Sequence, residues 1–161
     1  MSETQPHVLF VCTGNTCRSP MAEGMFRAAG REDVFTVSSA GVAAYGGGRA
    51  SPETLEILTG RGIELEGFGS RMVDDTILGQ ASHVFCMTRD HLDTLEALYP
   101  EEQDKFHLAC DFAEIEGEVG RDVPDPIGGG LRAYEEVAAC LDLAIVGILG
   151  FLRGEGESPA E

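Results

Sequence analysis

His7-Val8-Leu9-Phe10-Val11-Cys12-Thr13-Gly14-Asn15-Thr16-Cys17-Arg18-Ser19-Pro20-Met21-Ala22-Glu23-Gly24-Met25-Phe26 passes from an apolar run, through a polar turn, into a helical pattern. His7 to Val11 reads as a short buried strand, because a continuous apolar run shows no solvent-facing side and suits a parallel sheet. Thr13-Gly14-Asn15 ends it, and both Gly14 and Asn15 tolerate left-handed backbone. Ser19-Pro20 predicts a helix start, with Ser19 as the N-cap and Pro20 at the first helical position. Met21, Met25, Phe26 and Ala29 then share one face, and Gly30 stops the helix.

Working outward, Val34 to Ser38 predicts a second strand and Ala43 to Gly48 a glycine-rich loop. Ser51-Pro52 opens a second helix, with Leu55 and Leu58 inward and an end near Gly60 or Gly62. Asp74 caps a short helix through Leu78, and His83 to Met87 is a third strand. Thr88 caps a helix to Leu98, and Phe106 to Ala109 is a fourth strand. The polar stretch from Cys110 to Gly130 is a long connection and therefore a functional candidate. Leu131, Tyr134, Ala138, Leu141, Ile145, Ile148 and Leu152 recur at three- and four-residue spacing and define a last helix. Strands alternating with helices predict a doubly wound α/β sheet, with its ligand site at the strand C-termini.

The chain has 161 residues, 11 basic and 28 acidic, for a formal charge of −17. That length predicts a single domain over residues 1–153, followed by a flexible acidic tail over 154–161. With 43% hydrophobic and 24% charged residues the composition is globular, not disordered. The acidic balance excludes nucleic acid and anionic membrane as partners, since both would be repelled. Five cysteines, an odd count, and no N-terminal hydrophobic signal predict a reducing, cytoplasmic setting. The most apolar stretch, Leu141 to Leu152, contains Asp142 and is too short to span a membrane.

Cys12 to Ser19 holds a cysteine and an arginine separated by five residues, placed between a strand and a helix. Successive N–H groups in such a turn converge on a tetrahedral oxyanion, and the helix N-terminus behind adds partial positive charge. Thr13, Gly14, Asn15, Thr16, Cys17, Arg18 and Ser19 are the candidate phosphate-binding residues, and Arg18 offers a two-pronged fork to two oxygens. The same positive field favours the thiolate form of Cys12, which makes it a candidate nucleophile. The alternative on these residues alone is a buried structural cysteine in an ordinary strand–helix turn.

Val11 to Glu23 (VCTGNTCRSPMAE) resembles the low-molecular-weight protein tyrosine phosphatases, and the likeness continues through Ser39-Ala40-Gly41, Ser51-Pro52, Met87-Thr88 and Asp125-Pro126. It implies a three-layer sandwich with a four-stranded parallel sheet flanked by helices. It also implies that Cys12 forms a phosphocysteine, that Arg18 binds the phosphoryl group, and that Ser19 hydrogen-bonds the Cys12 sulfur. Asn15, helped by Ser39, would hold the loop's left-handed turn. Asp125, fixed between Pro124 and Pro126, matches the family's general acid, although Asp122 and Asp125 also suit ordinary turns.

Tyrosine-specific members usually carry a branched aliphatic residue where this chain has Thr16, and aromatic residues after Asp-Pro. Here Ile127-Gly128-Gly129-Gly130 follows, and Tyr45 is the aromatic candidate for one wall of the site. Thr16 and the Asp-Pro-x-Gly-Gly ending resemble the bacterial protein-arginine phosphatase branch, in which that threonine is the specificity filter. The expected partner is thus a phosphorylated protein or peptide, with phosphoarginine favoured over phosphotyrosine. No cofactor, no metal and a monomer are expected.

Cys17 is placed either for a reversible disulfide with Cys12 or for packing beneath the loop. Cys86, Cys110 and Cys140 sit in apolar segments and are expected in the core. His7, His83, His91 and His107 show no metal-ligand spacing with the cysteines. Thiol-dependent arsenate reductases share the loop and fold but need further shuttling cysteines. A non-catalytic phosphate-binding module would not need Cys12, Arg18, Ser19 and Asp125 together.

Overall fold

The structure, a computed structural model, describes residues 5–30, 35–44, 46–65, 67–115 and 118–154. Tyr45, Val34 and residues 155–161 of the expected tail lie outside the described residues. Strands β1 (His7–Cys12), β2 (Thr36–Gly41), β3 (His83–Cys86) and β4 (Phe106–Leu108) form a parallel sheet in the order β2-β1-β3-β4. Helices α1 (Arg18–Ala29), α2 (Pro52–Gly60), α3 (Asp75–Gln80), α4 (Arg89–Leu98) and α5 (Gly130–Leu152) flank it. The fold is the expected α/β sandwich.

Alternate residues of β1 serve opposite layers, as the pleat requires. Val8, Phe10 and Cys12 face α1 and α5, while Leu9 and Val11 join Leu78 of α3 and Leu95 of α4. Phe10 meets the edge of Phe26 at 5.6 Å and lies 5.9 Å from Phe85, so one side chain joins β1 to α1 and β3. Each large apolar side chain buried this way contributes about 1.5–3 kcal/mol. Cys86, Cys110 and Cys140 are core residues, as expected, and the sulfurs of Cys110 and Cys140 lie 3.7 Å apart.

β1 pairs with β2 on one side and β3 on the other, so the sheet order reverses at β1. The C-terminal end of β1 is therefore the crevice where an open α/β sheet presents its ligand site.

Several sequence expectations shift. The first helix begins at Arg18, with Cys17 at the N-cap and no side-chain cap; the Ser19 hydroxyl is engaged elsewhere, as described below. Ala29 is exposed, and the apolar face of α1 ends at Phe26. β2 runs to Gly41, later than expected, because its pairing with β1 is extended by the loop that follows. In α2, Thr54 rather than Leu55 is buried beside Leu58, and its hydroxyl donates to the Cys17 carbonyl. Leu131 is 39% exposed at the open end of α5. β4 stops at Leu108, where a 3-10 turn begins at Ala109. The long connection also contains a two-stranded hairpin, β5 (Glu114–Ile115) with β6 (Glu118–Val119). Ser51, Asp74 and Thr88 cap their helices as the sequence implies.

Candidate active site

β1 delivers Cys12 to the floor of the crevice, 2% exposed, and residues 13–17 turn back into α1. Asn15 takes the left-handed conformation at φ 56°, whereas Gly14 does not. The loop's carbonyls are tied outward. Cys12 O accepts from Val42 N, Thr13 O from Ala43 N, Thr16 O from Ser51 N, and Cys17 O from Met21 N. In a trans peptide the next N–H points opposite its carbonyl, so the N–H groups of Thr13, Gly14, Cys17 and Arg18 turn to the loop's inside. Gly41 makes this approach possible, since a Cβ there would collide with the Thr13 carbonyl.

A buried polar chain supports the loop from below. Asn15 Nδ2 donates to Ser19 Oγ at 2.9 Å and to Ser39 Oγ at 3.0 Å, while Asn15 Oδ1 accepts from Arg71 N–H at 2.9 Å. Ser39 Oγ donates to Glu23 Oε1 at 2.7 Å, and Arg27 pairs with Glu23 Oε2 at 2.9 Å. Ser19 Oγ lies 2.9 Å from Cys12 Sγ. Ser19 accepts from Asn15, and its own proton has two acceptors in reach, the Cys12 sulfur at 2.9 Å and the Ala40 carbonyl at 3.5 Å, so the nearer sulfur is favoured once it is a thiolate. That hydrogen bond is what draws Ser19 inside the helix, away from the expected capping role.

A second loop, residues 120–129, meets the site through Arg18. Arg18, 6% exposed, donates from Nη1 to the Val123 carbonyl at 3.1 Å, and Val123 N–H donates to Met87 O at 2.8 Å. Asp125 stands exposed on the same loop, its Oδ1 accepting from Ile127 N–H at 3.0 Å. Thr16 is half-buried, with Oγ1 3.6 Å from Cys17 Sγ. Cys17 is buried, and its sulfur meets Tyr134 OH of α5 at 3.3 Å.

His91 and Glu23 carry structure that the sequence reading passed over. Thr88 N–H donates to His91 Nδ1, so the neutral ring holds its proton on Nε2 and donates it to Thr13 Oγ1 at 2.8 Å. Burial, with the Arg18 guanidinium nearby, pulls the His91 pKa down to about 4, which keeps that tautomer at neutral pH. The available signals were a polar residue three after a Thr cap, and a carboxylate at position 23 within the apolar segment of α1.

A thiol under an anion nest, a buried arginine beside it and an aspartate on the facing loop make up the equipment of a cysteine-dependent phosphatase. The model of the low molecular weight phosphotyrosine protein phosphatase family matches residues 7–157. A protein-arginine-phosphatase from Geobacillus stearothermophilus is 39% identical over 127 residues, 79% of this chain and 82% of that protein. A low molecular weight protein-tyrosine-phosphatase from Streptomyces coelicolor is 34% identical over 160 residues, 95% of this chain and 97% of that protein. The solved YwlE arginine phosphatase from Geobacillus stearothermophilus superposes with a TM-score of 0.84 at 35% identity, covering 93% of this chain and 94% of that one. This chain belongs to the low molecular weight phosphotyrosine protein phosphatase family, and it is a cysteine-dependent protein phosphatase.

Cys86 and Cys110 are wholly buried in the core, and burial pushes the Cys86 thiol up, so neither is built as a shuttling thiol for arsenate chemistry. Among the described residues, no helix is long and apolar enough to cross a membrane.

Proposed function

We propose that the chain is a protein-arginine phosphatase in which Cys12 is the nucleophile, Arg18 the phosphoryl-binding cation and Asp125 the general acid. The observation that carries the arginine reading is Thr16: a small polar residue, half-buried on the phosphate loop, occupies the place of the branched aliphatic residue of tyrosine-specific members. The acid loop agrees, since Pro126 is followed by an exposed Ile127 and by glycines, with no ring to stack on a phenol.

In the first step the Cys12 thiolate attacks phosphorus, forming an S–P bond as the P–N bond breaks. The guanidine nitrogen leaves with the electron pair and takes the proton of the Asp125 carboxylic acid. N–H groups of the loop and Arg18 hold the equatorial oxygens throughout. In the second step water attacks phosphorus and gives its proton to the Asp125 carboxylate. The S–P bond breaks, the thiolate returns, and inorganic phosphate departs. Ser19, donating to the sulfur, stabilises the thiolate as leaving group. The released arginine is a cation once protonated, and a chain of charge −17 suits its departure. An odd number of cysteines, none of the five in a disulfide, suits a reducing cytoplasm.

Phosphoarginine, phosphotyrosine and phosphoserine peptides compared side by side, with Cys12→Ser as blank, test the reading. Phosphoarginine is expected to be turned over fastest, and Thr16→Ile to raise the phosphotyrosine-to-phosphoarginine ratio of kcat/KM. A wild-type preference for phosphotyrosine overturns the arginine assignment. An unmoved or lowered ratio in Thr16→Ile removes that residue as the filter.

A further inference from the structure

The first turn of α4 touches both working loops. On one side, Thr88 and His91 form a reciprocal cap, and His91 Nε2 reaches Thr13 of the phosphate loop at 2.8 Å. On the other, the N–H of Arg89, the first residue of α4, donates to Asp122 Oδ1 at 2.8 Å. That N–H is one of the donors a helix leaves without an intrahelical partner, and a carboxylate there also meets the positive end of the helix. The neighbouring residue, Val123, is fixed through both of its backbone groups, to Met87 and to Arg18. Pro124 and Pro126 then restrict the backbone on either side of Asp125. The direction in which the chain leaves Asp122 and Val123 therefore carries through to the Asp125 carboxylate.

We propose that Asp122 is a positioning residue: by accepting the Arg89 N–H it latches the acid loop to the α4 turn that His91 ties to the phosphate loop, and so sets Asp125 above Cys12. The proposal rests on the reading of Asp125 as general acid. Asp122 acts on the reaction through the loop, by way of the Arg89 N–H.

Leaving-group dependence separates positioning from general structural loss. Phenyl phosphate releases a poor leaving group that needs the acid's proton, whereas dinitrophenyl phosphate releases one that departs without it. kcat/KM reports the chemistry only as far as the phosphocysteine, so it isolates this step. Asp122→Ala is expected to lower kcat/KM on phenyl phosphate by about tenfold, a fraction of what a general acid supplies, and on dinitrophenyl phosphate by less than about twofold. Asp122→Asn keeps the acceptor oxygen and restores most of the loss. Arg89→Pro removes the donor at a first-turn position where proline is accepted, and behaves like Asp122→Ala. In an Asp125→Ala background, Asp122→Ala adds nothing. Equal losses on both substrates, or no loss on phenyl phosphate, overturn the proposal alone, provided Asp125→Ala itself discriminates between them. If Asp125→Ala falls equally on both, the acid assignment fails and the latch fails with it.

Discussion

Asn15 is the residue whose replacement divides backbone strain from hydrogen bonding. It sits at φ 56°, and its amide makes two buried contacts, to Ser19 and Ser39, and a part-buried one with the Arg71 N–H. Asn15→Gly keeps the left-handed turn and loses the contacts; Asn15→Ala loses both. At about 1 kcal/mol per hydrogen bond, with the Arg71 N–H left unpaired, the glycine variant is destabilised by about 3 kcal/mol. Alanine adds about 1 kcal/mol for a left-handed Cβ. A chain of this size loses about 2–4 °C of Tm per kcal/mol, so glycine is expected to fall by about 6–12 °C and alanine by about 2–4 °C more. Calorimetry with phosphate-free buffer measures both, since phosphate binding would mask the loss. Activity should fall in both variants, because Ser19 loses the Asn15 donor that holds its hydroxyl beside Cys12. If alanine proves as stable as glycine, the backbone contributes no strain at this position. If both melt with wild type, the amide network is not holding the loop.

The buried His91 predicts a pH signature. With a folded pKa of about 4 against 6.5 in the open chain, the unfolded state takes up the proton first. The stability this neutral ring supplies is complete above pH 6.5 and erodes as pH falls through about 4. Wild type should therefore lose Tm relative to His91→Gln across that window, and a difference that stays flat with pH would show a ring already charged or solvated. Cys17 is open to two roles, a reversible disulfide with Cys12 or packing beneath the loop; on the first, peroxide followed by reductant should restore wild type but not Cys17→Ala. Full recovery of that variant would leave Cys17 with only its packing against Tyr134.

The phosphate loop was legible because everything that makes it is local: an apolar strand, a turn and a helix start within twenty residues. The parallel sheet followed from the same alternation. What the sequence hid lies at long range. Ser39 meets Glu23 across 16 residues, Thr13 meets His91 across 78, and Cys17 meets Tyr134 across 117. No spacing rule reaches these pairs, because the sheet order, not the chain, brings them together. The displaced helix start has the same origin. Ser19 reads as a cap by local chemistry, but tertiary contacts to Cys12 and Asn15 take its hydroxyl, and α1 begins two residues earlier, at Arg18.

A chain of charge −17 with a carboxylate buried near its anion site looks miswired until the direction of each hydrogen bond is followed. Glu23 can only accept, and it takes the Ser39 proton and the Arg27 guanidinium. Ser39, having given its proton away, must accept, and takes one from Asn15 Nδ2. The second Nδ2 proton goes to Ser19, whose own proton then chooses between the Ala40 carbonyl at 3.5 Å and the Cys12 sulfur at 2.9 Å, and a thiolate is the nearer and stronger acceptor. Paired with Arg27, the carboxylate presents little net charge to a phosphoryl group, yet it fixes the polarity of the whole chain above it. The negative end therefore sits at the bottom of the network and the donors face the sulfur. That orientation is what a thiolate needs, both to exist at the floor of the site and to leave phosphorus in the second step.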